Sequence, residues 1–139
     1  MDRFHHILSI ERKVAKYTWG GVINSILWRL VRMYYNSDIP SSVKCEGVYF
    51  AHSGFGCVIN SKAVIGRGTT IQHSVAIGEV GGKVPVIGEN CYIGTHAIII
   101  GDVKVGNNVT IGAGSVVVKN IPDNAVVVGN PAKIIKFRK

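Results

Sequence analysis

An aliphatic residue returns every six positions between Ile59 and Val117, and this period restricts the possible folds more than any other feature. The hexads fill 59–78 and, after an eight-residue interruption at 79–86, resume at 87. A helix repeats near 3.6 residues and a strand near two, so neither produces a period of six. A hexapeptide repeat instead predicts a parallel β-helix, in which each hexad is one short strand and a turn.

Within each hexad the first position is isoleucine or valine, and the fifth is small or β-branched. Three hexads would close one triangular coil of about eighteen residues, with both of these positions facing inward. Glycine often holds the second position, where it is expected to ease the corners of the coil. An ordinary β-sandwich would not keep its hexads in phase for so long. A purely structural solenoid would need neither the interrupting loop nor the histidines.

The length of 139 residues predicts a single domain, all-β apart from a helical segment over 1–36 and with the β-helix over 37–139. Two helices are expected in the N-terminal segment, Asp2–Tyr17 and Val22–Tyr35, on either side of Gly20-Gly21. The second helix has an apolar face made of Val22, Ile23, Ile26, Leu27, Leu30 and Tyr34.

That apolar face is too large to be left in water. We expect it to pack on the chain's own β-helix or on a neighbouring subunit. Contact with a membrane surface stays open as the alternative, since Trp28, Arg29 and Arg32 suit an interfacial helix.

The net charge of +8 is concentrated at the two ends of the chain. Residues 1–36 carry six basic and two acidic side chains, residues 133–139 carry four basic ones, and the stretch 37–132 has six of each sign. Without a basic stripe along the repeat, nucleic acid is not an expected partner. The basic C-terminal tail is suited to attract a phosphorylated cofactor.

Three cysteines, Cys45, Cys57 and Cys91, are odd in number and lack the spacing of a metal site. We expect buried, reduced thiols. No apolar run reaches the ~18 residues of a spanning helix, and no secretory leader is recognisable, so a cytoplasmic location is expected.

Four segments resemble the hexapeptide-repeat acyltransferases, specifically their serine O-acetyltransferase-like branch. They are AHSGFGCVIN (51–60), IQHSVAIG (71–78), PVIGENCYIGTHAIIIGDVKVGNNVTIGAGSVVV (85–118) and IPDNAVVVGNPAKII (121–135). The nearest look-alikes are short bacterial O-acetyltransferases that modify surface polysaccharides. The resemblance implies a left-handed β-helix, a homotrimer, and acetyl-CoA as the acyl donor without a metal ion.

In that family a histidine takes the proton of the acceptor hydroxyl, which then attacks the thioester directly. Imidazole suits this role because it titrates near neutrality. His52 matches this histidine, and Asp38 matches the carboxylate that orients it, with one residue fewer in between. His73 holds the third position of its hexad, so we expect it to point outward, where it either assists in the acceptor site or is simply a wall residue. His96 matches no catalytic position and is expected to be structural.

The residues predicted to bind acetyl-CoA are Gly94, Thr95, Gly112, Ala113, Gly114, Lys119 and Lys133. Thr95 and Ala113 are eighteen residues apart, so they should stack at one corner of successive coils. Small residues there would let the pantetheine arm lie close to the backbone. The segment 129–133 is expected to face the adenosine and its phosphates.

The interrupting loop departs from the serine enzymes. They share a second histidine in a Gly-Gly-Asp-Arg-His-Pro loop, whereas this chain has Gly81-Gly82-Lys83-Val84-Pro85, with Val84 in place of the histidine. Their long helical N-terminal region is also reduced to about 36 residues. The expected acceptor is therefore a hydroxyl of a sugar or surface-polysaccharide precursor, and serine is the alternative.

Two other classes of protein are alternatives to an acyltransferase. A γ-type carbonic anhydrase would bind zinc through three histidines, for which His52, His73 and His96 are the candidates. Successive coils should stack these side chains and not make them converge. A non-catalytic scaffold would keep the fold but not bind acetyl-CoA.

Overall fold

The computed structural model describes residues 20–138, so the predicted helix Asp2–Tyr17 lies outside the described part. The second predicted helix is confirmed as α1, Gly20–Tyr35. Ile26, Leu30 and Tyr34 on its apolar face are 54%, 58% and 79% exposed, so these three side chains do not pack on the chain's own β-helix. Within 20–138, no helix is both long enough and apolar enough to cross a bilayer.

Short strands follow the helix, most of them two residues long. They are β1 Tyr49–Phe50, β2 Val58–Ile59, β3 Val64–Ile65, β4 Thr70–Ile71, β5 Ala76–Gly78, β6 Val86–Ile87, β7 Tyr92–Ile93, β8 Ile98–Ile100, β9 Lys104–Val105, β10 Thr110–Ile111, β11 Val116–Val117, β12 Ala125–Val128 and β13 Lys133–Phe137. A 3₁₀ turn, Ala51–Gly54, separates β1 from β2.

The strands pair into three sheets, in the orders β1-β4-β7-β10-β12-β13, β2-β5-β8-β11 and β3-β6-β9. Each strand pairs in parallel with the strand one coil away, as in Val58 with Ala76 and Ala76 with Ile98. The exception is β13, which folds back antiparallel on β12 and closes the stack. The predicted parallel β-helix is confirmed.

The core runs along the axis of the coils, as the hexad pattern predicts. All first-position residues from Ile59 to Val117 are buried, and so are the fifth-position residues. Two fifth-position residues are polar but hydrogen-bonded: the Thr69 hydroxyl donates to the Gly88 carbonyl at 3.1 Å, and the Ser115 hydroxyl accepts from the Gly129 amide at 3.1 Å. Stacking therefore buries a continuous interior that no single coil could supply.

The role expected for the second-position glycines is wrong. None of them has a positive φ; the left-handed conformations fall mainly on fourth positions, held by Gly68, Ser74, Asn90, His96, Asn108 and Gly114. At the second position the neighbouring coil is simply too close. A Cβ built on Gly66 would lie 2.5 Å from the backbone carbonyl of Gly88, and one on Gly88 would lie 2.6 Å from the Gly106 oxygen.

The predicted buried, reduced thiols are confirmed for Cys45, Cys57 and Cys91. Burial raises the pKa of the Cys57 and Cys91 thiols, so both stay protonated at neutral pH. Each also donates to a main-chain carbonyl, Cys57 to Gln72 at 3.3 Å and Cys91 to Gly106 at 3.1 Å. These cysteines are packing residues of the core.

Candidate active site

One corner of the β-helix gathers most of the predicted site residues. It joins the β1-containing sheet to the β2-containing sheet in four successive coils, and it stacks Phe55, His73, Thr95 and Ala113 in that order. Backbone bonds hold the stack: the Ser74 amide donates to Phe55, the His96 amide to His73, and the Gly114 amide to Thr95, at 2.8, 3.3 and 2.8 Å. The predicted stacking of Thr95 with Ala113 is confirmed.

His52 reaches this corner through an irregular turn. Ile59 in β2 lies nine residues after Phe50 in β1, whereas the equivalent residues of the next coil, Ile71 and Ile77, are six apart. His52 and Ser53 take left-handed conformations, with φ of 52° and 55°. For residues with a Cβ this costs roughly 1–2 kcal/mol each, and such conformations often mark functional sites. The His52 side chain is exposed.

Three imidazoles form a ladder along the corner. The ring centroids of His52 and His73 are 5.2 Å apart at an interplanar angle of 85°, and those of His73 and His96 are 5.7 Å apart at 79°. Both contacts are edge-to-face. His73 is partly buried, and its Nδ1 atom is buried without a hydrogen-bond partner in the described part of the chain. The histidines stack, as the coil spacing predicts.

A cavity of about 580 Å³ opens beside His52. It is lined by Tyr34, Tyr35, His52, Phe55 and His73. All five side chains carry a ring, and none is a carboxylate, a lysine or an arginine. The volume lies in the range of small-molecule sites, and aromatic lining is typical of them. His52 is placed to exchange a proton with a ligand bound there.

Asp38 lies beside Val58 of β2, with which it forms an isolated parallel bridge. Its carboxylate accepts from the Arg32 guanidinium at 2.6 Å, and both side chains are partly exposed. Its backbone is part of the first coil, because its amide donates to Cys57 at 2.7 Å and its carbonyl accepts from Ile59 at 2.8 Å. Arg32 is therefore the partner seen for this carboxylate among the described residues, and the pairing of Asp38 with His52 stays a prediction.

The predicted donor residues occupy the upper coils of the same corner or the end of the stack. The amides of Gly94, Gly112 and Gly114 donate to Ile111, Val127 and Thr95 within the coils at 2.8 Å each. These glycines therefore let a ligand approach the backbone closely, but their N–H groups cannot bind it because they already donate within the coils. Lys119 lies beyond β11, Lys133 begins β13, and both are exposed.

Coil packing also explains two of these glycines without a ligand. A Cβ on Gly94 would lie 2.6 Å from the Ala113 nitrogen, and one on Gly112 would lie 2.7 Å from Val128. Gly114 is different, because nothing lies within 4 Å of a Cβ there and its φ is +67°. The open surface of this corner is thus at Ala113 and Gly114.

The interrupting loop is a tight hairpin at the far end of β5 from His73. The Val80 and Lys83 backbones bond each other at 3.0 and 3.1 Å, around Gly81 and Gly82, which both have positive φ. Lys83 also lies 3.9 Å from the Asp102 carboxylate. Glu79, Lys83 and Val84 do not line the cavity beside His52 in the same chain.

The zinc alternative finds no support in the geometry. Among residues 20–138 no group of three or more His, Cys, Asp or Glu side chains is arranged to hold a metal ion. Neighbouring rings among His52, His73 and His96 lie edge against face, with centroids 5.2 and 5.7 Å apart.

Sequence reasoning missed two features of this site. The sequence places Tyr34 on the packing face of α1, whereas in the structure it lines the cavity together with Tyr35. The sequence sets His96 apart from the site, whereas in the structure its ring touches that of His73. His73 and His96 hold the third and fourth positions of hexads in neighbouring coils, so the hexads place them near each other but one residue out of register. The approach of α1 to the corner could not be predicted, because the amphipathic pattern of a helix does not fix where the helix docks.

The matches to known proteins agree with this arrangement. The model of the bacterial transferase hexapeptide family, described as six repeats, matches residues 85–119. A protein of Escherichia coli K12 named as a colanic acid biosynthesis acetyltransferase, WcaB, is 37% identical over 138 residues, which cover 95% of this chain and 85% of that protein. Serine acetyltransferase 2 of Arabidopsis thaliana is 42% identical over 101 residues, or 70% of this chain and 31% of that enzyme.

Solved structures give the same family. The serine acetyltransferase of Neisseria gonorrhoeae, in complex with serine, superimposes with a TM-score of 0.80 at 31% identity and covers 94% of this chain. This chain spans 54% of that structure, and less still of the plant relative, but most of WcaB. On the repeat, the fold and these identities, the chain belongs to the hexapeptide-repeat acetyltransferases, in the group that includes WcaB and the serine acetyltransferases.

Proposed function

We propose that this protein transfers an acetyl group from acetyl-CoA to a hydroxyl group of a saccharide, with His52 as the general base. Acetyl-CoA is the donor used by acetyltransferases of this kind. The observation that carries the acceptor class is the cavity beside His52, whose lining is aromatic and contains no carboxylate, lysine or arginine. The match to most of the length of WcaB supports the same class.

The chemistry requires one proton to move twice. The His52 imidazole takes the proton of the acceptor hydroxyl as its oxygen attacks the thioester carbonyl carbon. The new C–O bond replaces the C–S bond, and the departing thiolate recovers the proton from the imidazolium. An alcohol is a weak nucleophile near neutrality, so such a base contributes about 10²–10⁴-fold.

His73 and Asp38 are assigned supporting roles. The edge of the His73 ring against His52 limits the orientations of the base, and its buried Nδ1 atom needs a partner that a bound ligand or water can supply. Asp38 lies in the first coil, where its backbone bonds to Cys57 and Ile59, and its carboxylate forms an ion pair with Arg32. We assign it to orient His52 when the acceptor is bound.

The donor is assigned to the upper part of the same corner. Thr95, Ala113 and Gly114 present a small, open surface beside the histidine ladder, with Gly94 and Gly112 behind it, which suits an extended pantetheine arm. Lys119 and Lys133 are exposed and supply positive charge for the phosphates of CoA.

L-serine is the second candidate acceptor, favoured by the likeness to the Neisseria enzyme whose structure contains serine. A zwitterion needs partners for both its ammonium and its carboxylate, and an unpaired one would weaken binding by about 1–3 kcal/mol or more. The described lining of the cavity supplies neither partner. We therefore expect saccharide acceptors to be preferred.

A thiol-release assay with acetyl-CoA tests this preference. The panel comprises L-serine at millimolar concentration, UDP-glucose, UDP-galactose and the methyl glycosides of glucose and galactose. Release of CoA is expected with at least one saccharide and to be weak or absent with L-serine. Efficient acetylation of L-serine, with no saccharide turned over, would make serine the acceptor and leave the fold, donor and base as they stand.

We also propose a homotrimer with each active site in a cleft between subunits. The sheet β2-β5-β8-β11 exposes an apolar row that includes Val58 and Ile98, which are 52% and 38% exposed. The hairpin at 79–85 does not line the cavity beside His52 in its own chain, and we assign it to the cavity of a neighbouring subunit.

Light scattering at micromolar concentration is expected to give three times the chain mass of 15.0 kDa. Arg substitution of Ile98, in the middle of the apolar row, should shift the mass towards the monomer, whereas Arg substitution of Met33 on the helix should not. A wild-type monomer with full activity would contradict the proposed cleft.

A further inference from the structure

The last turn of α1 forms a wall of the cavity beside His52. Tyr34 and Tyr35 line this cavity together with Phe55 and the two histidines. The catalytic corner of the β-helix is therefore incomplete without the N-terminal segment. This segment supplies two of the five residues that line the cavity.

Three contacts fix the end of the helix to the first coil. The Tyr35 carbonyl accepts from the Gly56 amide at 3.0 Å, in the turn that carries His52 and Phe55. Arg32 pairs with Asp38 at 2.6 Å, and the Tyr35 side chain packs against the buried core. A wall held at its backbone, its side chain and the preceding turn is positioned for recognition before a ligand arrives.

The exposed aromatic faces indicate the kind of ligand. The Tyr34 ring is 79% exposed and meets Tyr35 edge-to-face, with centroids 5.0 Å apart, while Phe55 is 48% exposed. Aromatic rings in a cavity without acids or strong bases favour an uncharged ligand that has an apolar face. A pyranose ring has such a face, formed by its C–H groups, and carries hydroxyl groups at its edge.

We infer that Tyr34 determines acceptor specificity by stacking, with Phe55, on the pyranose ring whose hydroxyl group is delivered to His52. This inference rests on the proposed function and narrows it to a ring-shaped saccharide. Tyr34 is a binding residue that takes no part in the proton transfer. Its loss therefore raises the KM for the acceptor and leaves the donor site intact.

The test uses the full chain in its native assembly and the best saccharide of the panel, chosen from UDP-glucose, UDP-galactose and the two methyl glycosides. The Tyr34→Ala variant should raise the acceptor KM about tenfold, corresponding to the loss of one aromatic contact. The KM for acetyl-CoA should stay within about twofold of wild type, because the donor is assigned to the upper coils. Tyr34→Phe should recover most of the lost affinity, because the ring face is retained.

Met33→Ala is the matched control, since Met33 is 80% exposed on the same turn and does not line the cavity. It should leave the acceptor KM unchanged. Wild-type turnover of a saccharide with an unchanged KM in Tyr34→Ala would overturn the inference and leave the proposed function standing. An equal rise in Met33→Ala would also overturn it, as the effect would then belong to the helix. If wild type acetylates only L-serine, the proposed function fails and the inference with it.

Discussion

Replacing His52 by alanine is expected to lower turnover by about 10²–10⁴-fold, the usual effect of losing a general base. The affinity for acetyl-CoA should change little, because the donor is assigned to the upper coils. The side chain of His52 is exposed, and its ring contact is with His73, so the fold should tolerate the change. Steady-state kinetics with both substrates varied, together with a melting curve, would measure these effects separately.

Three companion variants make the assignment of the base falsifiable. Asp38→Asn should cost less activity than His52→Ala, because the imidazole stays in place. His96→Asn serves as the control: its side chain is exposed, it lies at the far end of the ladder, and asparagine tolerates its left-handed backbone. This control should retain near wild-type turnover. If His73→Ala proves far more damaging than His52→Ala, then His73 is the base and His52 is not.

The fold was predictable because its signal repeats. Each coil places the same hexad position against the same neighbours. The spacing of Ile65, Ile87 and Val105 in the sequence therefore predicts that they form one column of the core. The break in the repeat at 79–86 was equally visible, whereas the irregular turn after Phe50 precedes the hexads that the sequence shows. Each coil of a solenoid contacts mainly the coils beside it, so few contacts join parts of the chain that are far apart in the sequence.

The site was predictable only in part. Spacing placed Thr95 beside Ala113 and put His73 on the outer surface of the corner, and the structure has both there. Tyr34 shows where this reasoning ends. Its position depends on how α1 docks on the first coil. Docking is set by the ion pair of Arg32 with Asp38 and by the bond of the Tyr35 carbonyl with Gly56, and no repeating pattern in the sequence predicts either contact.

For the second-position glycines, the sequence showed where glycine occurs but not why it is needed. Glycine suggested conformational freedom, the commonest reason for its use in turns. The structure gives another reason at Gly66, since a Cβ there would be 2.5 Å from the carbonyl carbon of Gly88 and 2.6 Å from the Glu89 nitrogen. Both atoms belong to the backbone of the next coil and cannot rotate away. The spacing of the coils, and not a φ value, excludes a side chain at this corner.

This explanation predicts different outcomes for two identical substitutions. Gly66→Ala should destabilise the protein by about 1–3 kcal/mol or more, as overpacking against a rigid neighbour does. Gly78→Ala is the matched control: it occupies the same hexad position and also lacks a positive φ, but the nearest atom to its Cβ would be Ile100 Cγ2 at 3.2 Å. That side chain can shift by a few tenths of an ångström, so the cost should be small.

Thermal melting of both variants, at one protein concentration because an oligomer's melting temperature depends on it, measures the difference. Gly66→Ala should melt roughly 5–15 °C below Gly78→Ala. Each alanine also restricts the unfolded chain, by about the same amount in the two variants, so that contribution cancels in the comparison. Similar melting temperatures for both would mean that the coils separate easily at this corner. Glycine at the second position would then need a reason other than the close approach of neighbouring backbones.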